Sequence, residues 1–328
     1  MTYFFGPGDI EGRVTESIAL GAMERAFALE AEGRSQLVSR LDVPSSNGFL
    51  RVMPAVLDDV MGLKVMVLAE GLGTRYLVLL YEAKTGELLA LLDADELTRY
   101  RTAATTALAG KRMVTAPPSR LGLIGSGFEA VGELRALAEL WPLDHVAVYS
   151  PTQERRERFA ATMQSELGIE VEPVASSRAA VADQRVVALA TKSSMPVIDG
   201  ADLAGGCVVL SIGSTRPDLR ELDRRTLARA RTVVGDDPGQ LEVESGDIVD
   251  AIESGVLTRA RMVSLSELCA GPITLDVDAD RDLYVFKSLG TALQDLAIAQ
   301  LVYEHARDSG YGTDLGELSS IKPFAQNI

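Results

Sequence analysis

Residues 119–138 read SRLGLIGSGFEAVGELRALA. Leu121, Leu123 and Ile124 make a short apolar run, as in a strand buried on both faces of a parallel sheet. Gly125, Gly127 and Ala130 follow at the spacing G-x-G-x-x-A, and Val131, Leu134, Leu137 and Leu140 continue at helical intervals. Strand, glycine turn and helix in this order give the motif a mechanism. Gly125 permits the tight turn, Gly127 lets the backbone approach a pyrophosphate, and Ala130 lets the helix pack on the strand. The helix N-terminus, from Phe128 and Glu129, offers N–H groups and partial positive charge to phosphates. A purely structural glycine turn is the alternative, but the flanking strand and helix favour a dinucleotide site.

Beyond this stretch strands and helices alternate. HVAVYS (145–150) reads as the second strand and TQERRERFAATMQSEL as a polar helix, with VEPV, RVVALAT (185–191), CVVLSIG (207–213) and RTVVGDD (231–237) as later strands. Alternation of this kind argues for a doubly wound parallel (Rossmann) sheet in an α/β protein. Before it, Pro117-Pro118 breaks the chain and marks a domain boundary. Residues 18–32 have helical spacing and end at Gly33, and Asp93 to Gly110 looks helical, with Asp95 as N-cap. Between them lie β-type runs, LVSRLDV, GFLRVMPAVL, LKVMVL, RYLVLLYEA and LLALLD, which suggest antiparallel strands and a second, α+β domain. After Ser288 the apolar face Leu289, Leu293, Leu296, Ala297, Ile298, Leu301 and Val302 forms a helix outside the sheet pattern, expected to return to the first domain. The expected division is therefore 1–116 with 289–328 for substrate binding and dimerisation, and 117–288 for the dinucleotide.

The 328 residues exceed a single core, which agrees with two domains. A net charge of −15 argues against nucleic-acid or anionic-membrane partners. Two isolated cysteines, Cys207 and Cys269, and two histidines indicate neither a disulfide framework nor a metal site. With no leader pattern at Met1 and no apolar run of spanning length, a cytoplasmic location is expected. At the tip of the second strand, where NAD-selective sites carry an acidic residue, stand Tyr149, Ser150, Pro151 and Thr152, with Arg155 and Arg156 one turn on. Hydroxyls and guanidinium groups suit a 2′-phosphate, so NADP(H) is expected over NAD(H). Both arginines could instead be a solvated helix face pairing with Glu154 or Glu157.

Several stretches in order resemble the ornithine cyclodeaminase/mu-crystallin family. They are the Arg40 region, MPA (53–55), the Lys64 strand, RTAATTALAG (101–110), GLIGSGFEA (122–130), IGSTRPDLRELD (212–223), DDPGQLEVESGDI (236–248) and FKSLGTALQDLA (286–297). The resemblance covers nearly the whole chain. It implies a homodimer with a β-rich dimer surface and a nicotinamide lying in the cleft between the domains. Family members reduce ketimines or imino acids, form or deaminate amino acids, or cyclise ornithine to proline. The resemblance also implies Arg40, Lys64 and Arg101 as the groups that bind the substrate carboxylate. It adds Thr102, Thr191, Ser211, Ile212, Gly213, Lys287 and Ser288 to the glycine loop (Gly125, Ser126, Gly127, Phe128, Glu129, Ala130) and to Ser150, Thr152 and Arg155 as cofactor contacts.

The residues themselves bear on those roles. Guanidinium can clamp a carboxylate with two parallel hydrogen bonds. Arg40 could equally be a charged strand edge, whereas Arg101 near a helix start is poorly placed for the helix dipole and better suited to a ligand. Lys64 sits among Leu63, Val65, Met66 and Val67, where a buried ammonium is costly without a purpose; burial lowers its pKa and suits it to proton donation. Where cyclodeaminases and many alanine dehydrogenases of the family carry an aspartate, this chain has Thr215, as hydroxyl-bearing ketimine reductases do. Threonine hydrogen-bonds but is no base near neutral pH. The leading expectation is an NAD(P)H-dependent reductase of imino acids, with Lys64 and Thr215 as catalytic residues. Ornithine or lysine cyclodeaminase, alanine dehydrogenase and a non-catalytic NADPH-dependent ligand-binding protein are the alternatives. Asp236 and Asp237 read as a turn or cofactor-edge pair; Glu221 and Asp295 have no role derivable from sequence.

Overall fold

A computed structural model describes residues 1–271, 275, 283–318, 320 and 322. The chain forms two compact units. One comprises Met1–Thr15, Glu32–Thr98 and Ala292–Ile328, the other Glu16–Ala31 and Arg99–Thr291.

In the first unit, alternating β-type runs make an eight-stranded, mainly antiparallel sheet. Its order is Thr313–Asp314, Tyr3–Phe5, Leu88–Asp93, Gly73–Glu82, Val60–Ala69, Gly48–Leu57 and Ser35–Leu37, with Leu41–Ser45 also paired to Gly48–Leu57. Among the described strands of this sheet, only Tyr3–Phe5 and Leu88–Asp93 pair in parallel. Period-2 alternation sends Met53, Ala55, Leu57, Val60, Val78, Leu80, Ala90 and Leu92 to one buried face. The helix Ala292–Ser309 packs across that face on the Gly48–Leu57, Val60–Ala69 and Gly73–Glu82 strands. Gly62 makes the close approach possible: a Cβ there would lie 2.1 Å from the Leu79 carbonyl oxygen and 2.9 Å from Leu296 Cδ2.

In the second unit, eight parallel strands follow the order Glu170–Pro173, His145–Tyr149, Arg120–Ile124, Val186–Leu189, Val208–Ser211, Leu283–Lys287, Ala230–Gly235 and Met262–Ser264. This is the doubly wound sheet expected from the sequence. Arg120–Ile124 has the second strand on one side and the fourth on the other, so the strand order reverses at its carboxyl end, where such folds bind ligands. Two strands escaped the sequence reading. Met262–Ser264 has only three residues, and Leu283–Lys287 lies just before the stretch from Ser288 that reads as helical in sequence. A short apolar run is indistinguishable by periodicity from buried helix.

The boundaries differ from the expected ones. Helix Asp95–Met113 is expected before the boundary, yet from Arg99 onward it belongs to the second unit. Small residues are the cause: Ala103 and Ala107 pack on Ala136, Gly132 leaves room for the Arg99 stem, and Gly110 for the Trp141 ring. Helix Glu16–Ala31 likewise packs on Leu265–Ala270 and Phe128–Leu140. Asp95 lies inside the first turn of its helix, and it is Asp93 whose carboxylate accepts the Asp95 N–H, at 3.2 Å.

Candidate functional site

The glycine turn has the geometry its sequence implies. Gly125 adopts φ +127°, and a Cβ there would meet the Ala190 carbonyl oxygen at 2.4 Å. At Gly127 a Cβ would meet nothing within 4 Å, so the backbone is open to an approaching group. Gly127 caps the helix Phe128–Leu140 without any side-chain hydrogen bond, leaving its first N–H groups available to an anion. Ala130 is fully buried, Glu129 half-buried and Phe128 exposed. These features fit a dinucleotide pyrophosphate. Ser126 Oγ donates to Ser150 Oγ at 2.8 Å, which ties the glycine turn to the tip of the second strand. Arg156 folds back, its Nη1 donating to the Ser150 carbonyl at 3.1 Å, whereas Arg155 stays exposed and lines a cavity of about 400 Å³ with Ser126, Arg158, Phe159, Thr162 and Met163. Thr152 caps the helix Gln153–Leu167 and is exposed.

Further along the same carboxyl edge, one carboxylate gathers three strand ends. Glu221 accepts hydrogen bonds from Thr191 N (2.7 Å), Thr191 Oγ1 (2.9 Å), Ser211 Oγ (2.6 Å) and Gly213 N (2.7 Å). Lys287 Nζ donates to Ser211 Oγ at 2.8 Å and pairs with Asp247 at 3.0 Å and Glu221 at 3.5 Å. Asp247 in turn accepts from the N–H groups of Glu221 and Leu222. Lys287 and Ser211, both expected as cofactor contacts, are fully buried among these partners, and their side chains frame the strand ends. Ser288, also expected as a cofactor contact, is buried and its hydroxyl donates to Asp236 at 2.7 Å. Ile212 is buried, its N–H bonded to the Leu189 carbonyl. Thr215 is half-buried in the turn after Gly213, to whose carbonyl its N–H donates at 3.1 Å. Arg101 and Thr102 are both buried near the start of the helix Asp95–Met113.

In the first unit, Lys64 points to the buried face of its strand, 2 % exposed. Its Nζ donates to Asp295 Oδ1 at 2.9 Å and to Thr98 Oγ1 at 2.6 Å, and lies 4.7 Å from the Tyr76 ring centroid. Asp295 is 1 % exposed, so both charges are withdrawn from water and compensate each other. Arg40 is half-buried in the connection before Leu41–Ser45. Sequence reasoning found Lys64 but not its partners. Asp295 did leave a signal: a carboxylate among Leu293, Leu296 and Ala297 on an apolar helix face needs a cation. Glu221 and Asp247 left none, because a carboxylate in a polar stretch looks solvent-exposed in sequence. Asp237 is a helix cap, accepting from Gly239 and Gln240 N–H. Cys207 is sealed in the core, where burial pushes its thiol up to about 12. Among the described residues, no group of three or more His, Cys, Asp or Glu side chains could hold a metal ion, and no helix is long and apolar enough to cross a membrane.

The comparisons with known proteins agree with this geometry. The model of the ornithine cyclodeaminase/mu-crystallin family matches residues 7–310. The chain belongs to the ornithine cyclodeaminase/mu-crystallin family. It is 30 % identical over 314 residues to an alanine dehydrogenase of Archaeoglobus fulgidus, covering 94 % of this chain and 96 % of that one. It is 29 % identical over 303 residues to the ketimine reductase mu-crystallin of Mus musculus, covering 88 % and 92 %. Among solved structures it matches Thermococcus litoralis Delta(1)-pyrroline-2-carboxylate reductase in complex with NADH and L-proline, with TM-score 0.90, 30 % identity and 95 % and 100 % coverage. Relatives in the family thus include NAD(P)H-dependent oxidoreductases that act on imino acids, along with alanine dehydrogenases.

One titration belongs to the second unit's fold. Burial, then the carboxylates of Asp237 and Asp236, raise Glu30 from 4.5 to about 7, while a Ser266 hydrogen bond opposes them. The folded chain therefore binds a proton that the unfolded chain releases between those values. The associated stability, up to about 3 kcal/mol, is complete below pH 4.5 and is lost as pH rises through 7. Urea unfolding at pH 5 and pH 8 should show the wild type losing more stability over this interval than Glu30→Gln; equal losses would remove Glu30 as the source.

Proposed function

We propose that this protein is an NAD(P)H-dependent reductase of imino acids, delivering a hydride to the carbon of a C=N bond and yielding an amino acid. The observation that carries the reading is the buried Lys64 ammonium held by Asp295 and Thr98. On a chain of net charge −15, an acidic substrate needs a local, shielded cation, and Lys64 supplies one. Its Nζ holds the proton that the substrate nitrogen must gain as the carbon is reduced. Arg101 and Arg40 take the substrate carboxylate. A bound nicotinamide supplies the hydride, its pyrophosphate held by Gly127 and the N–H groups that follow. Thr215 gives the neighbouring turn a hydroxyl and no carboxylate, so it offers no partner for a second, cationic amine. Imine reduction is therefore favoured over ornithine cyclisation.

NADPH is the preferred cofactor in this reading. No carboxylate stands at the Ser150 tip to meet a ribose 2′-hydroxyl, while Arg155 and Arg158 line the adjoining cavity with positive charge. The unpaired cysteines suit a reducing cytoplasm.

The protein acts as a homodimer through the outer face of the first sheet. Opposite Lys64, the cross-strand rows Val52, Val65, Leu77 and Pro54, Leu63, Leu79, Leu91 and Val56, Met61, Tyr81 are apolar, with Val67 and Leu77 each 43 % exposed in the single chain. A second copy is the occupant, in keeping with the archaeal alanine dehydrogenase dimer, a structural match with TM-score 0.89 and 29 % identity. Light scattering should give twice the 35.1 kDa chain mass, and Leu63→Glu should halve it; a wild-type monomer would refute the assembly.

The activity test is oxidation of NADPH and NADH with Δ1-pyrroline-2-carboxylate, Δ1-piperideine-2-carboxylate and pyruvate plus ammonia. Turnover with a cyclic imino acid, faster with NADPH, is expected; silence with every pair would refute the reading. Lys64→Met should abolish turnover and spare cofactor binding. Because that variant takes the ammonium away from the buried Asp295 carboxylate, at a cost of about 3–5 kcal/mol, the double variant Lys64→Met/Asp295→Leu should be equally inactive but better folded.

A further inference from the structure

Asp236 has no part in the chemistry above, yet it is 1 % exposed and saturated with donors. Its carboxylate accepts from Ser288 Oγ at 2.7 Å, from Leu289 N at 3.1 Å and from Gly290 N at 2.7 Å. It therefore fixes the turn that follows the strand Leu283–Lys287. Gly290 occupies the left-handed region in that turn, φ +75°. A Cβ at Gly290 would stand 2.0 Å from Arg101 Nη1 and 2.7 Å from both Cζ and Nη2. The Arg101 guanidinium thus meets the bare Cα of Gly290 with its Nη1/Nη2 edge, in space that the Cβ of any other residue would fill. Its fork can be aimed only if the turn beneath it stays where it is.

We propose that Asp236 is a positioning residue for Arg101: by holding the Ser288-Leu289-Gly290 turn, it sets the direction in which the guanidinium meets a substrate carboxylate. The inference rests on the proposed reading of Arg101 as a carboxylate ligand. The logic is geometric. A bidentate guanidinium–carboxylate pair is directional, so a turn displaced by a few tenths of an ångström degrades binding of the acid while leaving groups elsewhere untouched. Asparagine at position 236 keeps the volume but replaces one acceptor oxygen with a donor facing N–H and O–H groups, which breaks the arrangement. Alanine at position 290 leaves Asp236 intact and disturbs the guanidinium from the other side, through its Cβ and through the positive φ.

The test is kinetic and direct. With Δ1-pyrroline-2-carboxylate and NADPH, Asp236→Asn and Gly290→Ala should each raise KM for the imino acid about tenfold or more, with kcat changed less than about threefold. The dissociation constant of NADPH, from its fluorescence, should be unchanged in both. In parallel, calorimetric titration of the NADP⁺-loaded protein with pyrrole-2-carboxylate, a planar unreactive acid, should show the same tenfold weakening. Unchanged KM and unchanged acid affinity in Gly290→Ala overturn the proposal, as does a fall in NADPH affinity equal to the rise in KM. If Asp236→Asn does not fold, Gly290→Ala decides. Should the wild type bind the acid but reduce no imino acid, the reductase reading fails while the titration still decides the role of Asp236. A wild type that neither binds nor reduces overturns both.

Discussion

The first unit depends on a pair of charges that water cannot reach. Lys64 and Asp295, 231 residues apart in sequence, meet at 2.9 Å between a sheet and the helix that covers it. Neither charge is tolerable alone in that environment, and a pair of apolar residues would pack there at no loss of stability. Such a pair persists for what it does. In the proposed reading it stations an ammonium with a proton to give, in a protein whose overall charge repels acids. The helix is brought close enough by Gly62, and the Thr98 hydroxyl and Tyr76 ring complete the surroundings of the ammonium.

The second unit uses carboxylates differently, as fasteners of backbone. Glu221 joins the ends of the Val186–Leu189 and Val208–Ser211 strands, Asp247 anchors the segment carrying Glu221, and Asp236 holds the turn after Leu283–Lys287. Lys287 offsets the charge at the centre of the first two. All lie at the carboxyl edge of the parallel sheet, and Glu221 binds the end of Val186–Leu189, the strand next to the point where strand order reverses. Rigid strand ends at that edge are what a cofactor site needs, because a small displacement there changes the alignment of reacting atoms.

Much of this was legible in the sequence. The glycine turn was readable because Gly125, Gly127 and Ala130 each answer a separate steric demand, and the alternation of strands and helices followed from period. Lys64 stood out because an ammonium in an apolar run is costly. Asp295 left its own signal on an apolar helix face, but the pairing of the two was not legible: it joins distant segments, and sequence carries no distances. The carboxylates around Lys287 were not legible for the same reason. Family-like motifs mark which positions matter, but not whether a side chain faces a ligand or, like those of Ser211, Ser288 and Lys287, closes inward on a carboxylate. The boundary at Pro117-Pro118 marked a break in the chain, whereas small residues in the preceding helix decided which unit that helix joined.

The central claim is that this chain moves a hydride onto the carbon of an imino acid while Lys64 serves the nitrogen. Its most direct measurement is the fate of the label when NADPH carrying deuterium at nicotinamide C4, in the transferable position, is mixed with Δ1-pyrroline-2-carboxylate and the product is read by NMR. The account predicts proline with deuterium on Cα from the wild type and none from Lys64→Met. Unlabelled proline from the wild type, or label transferred at the wild-type rate without Lys64, would contradict it.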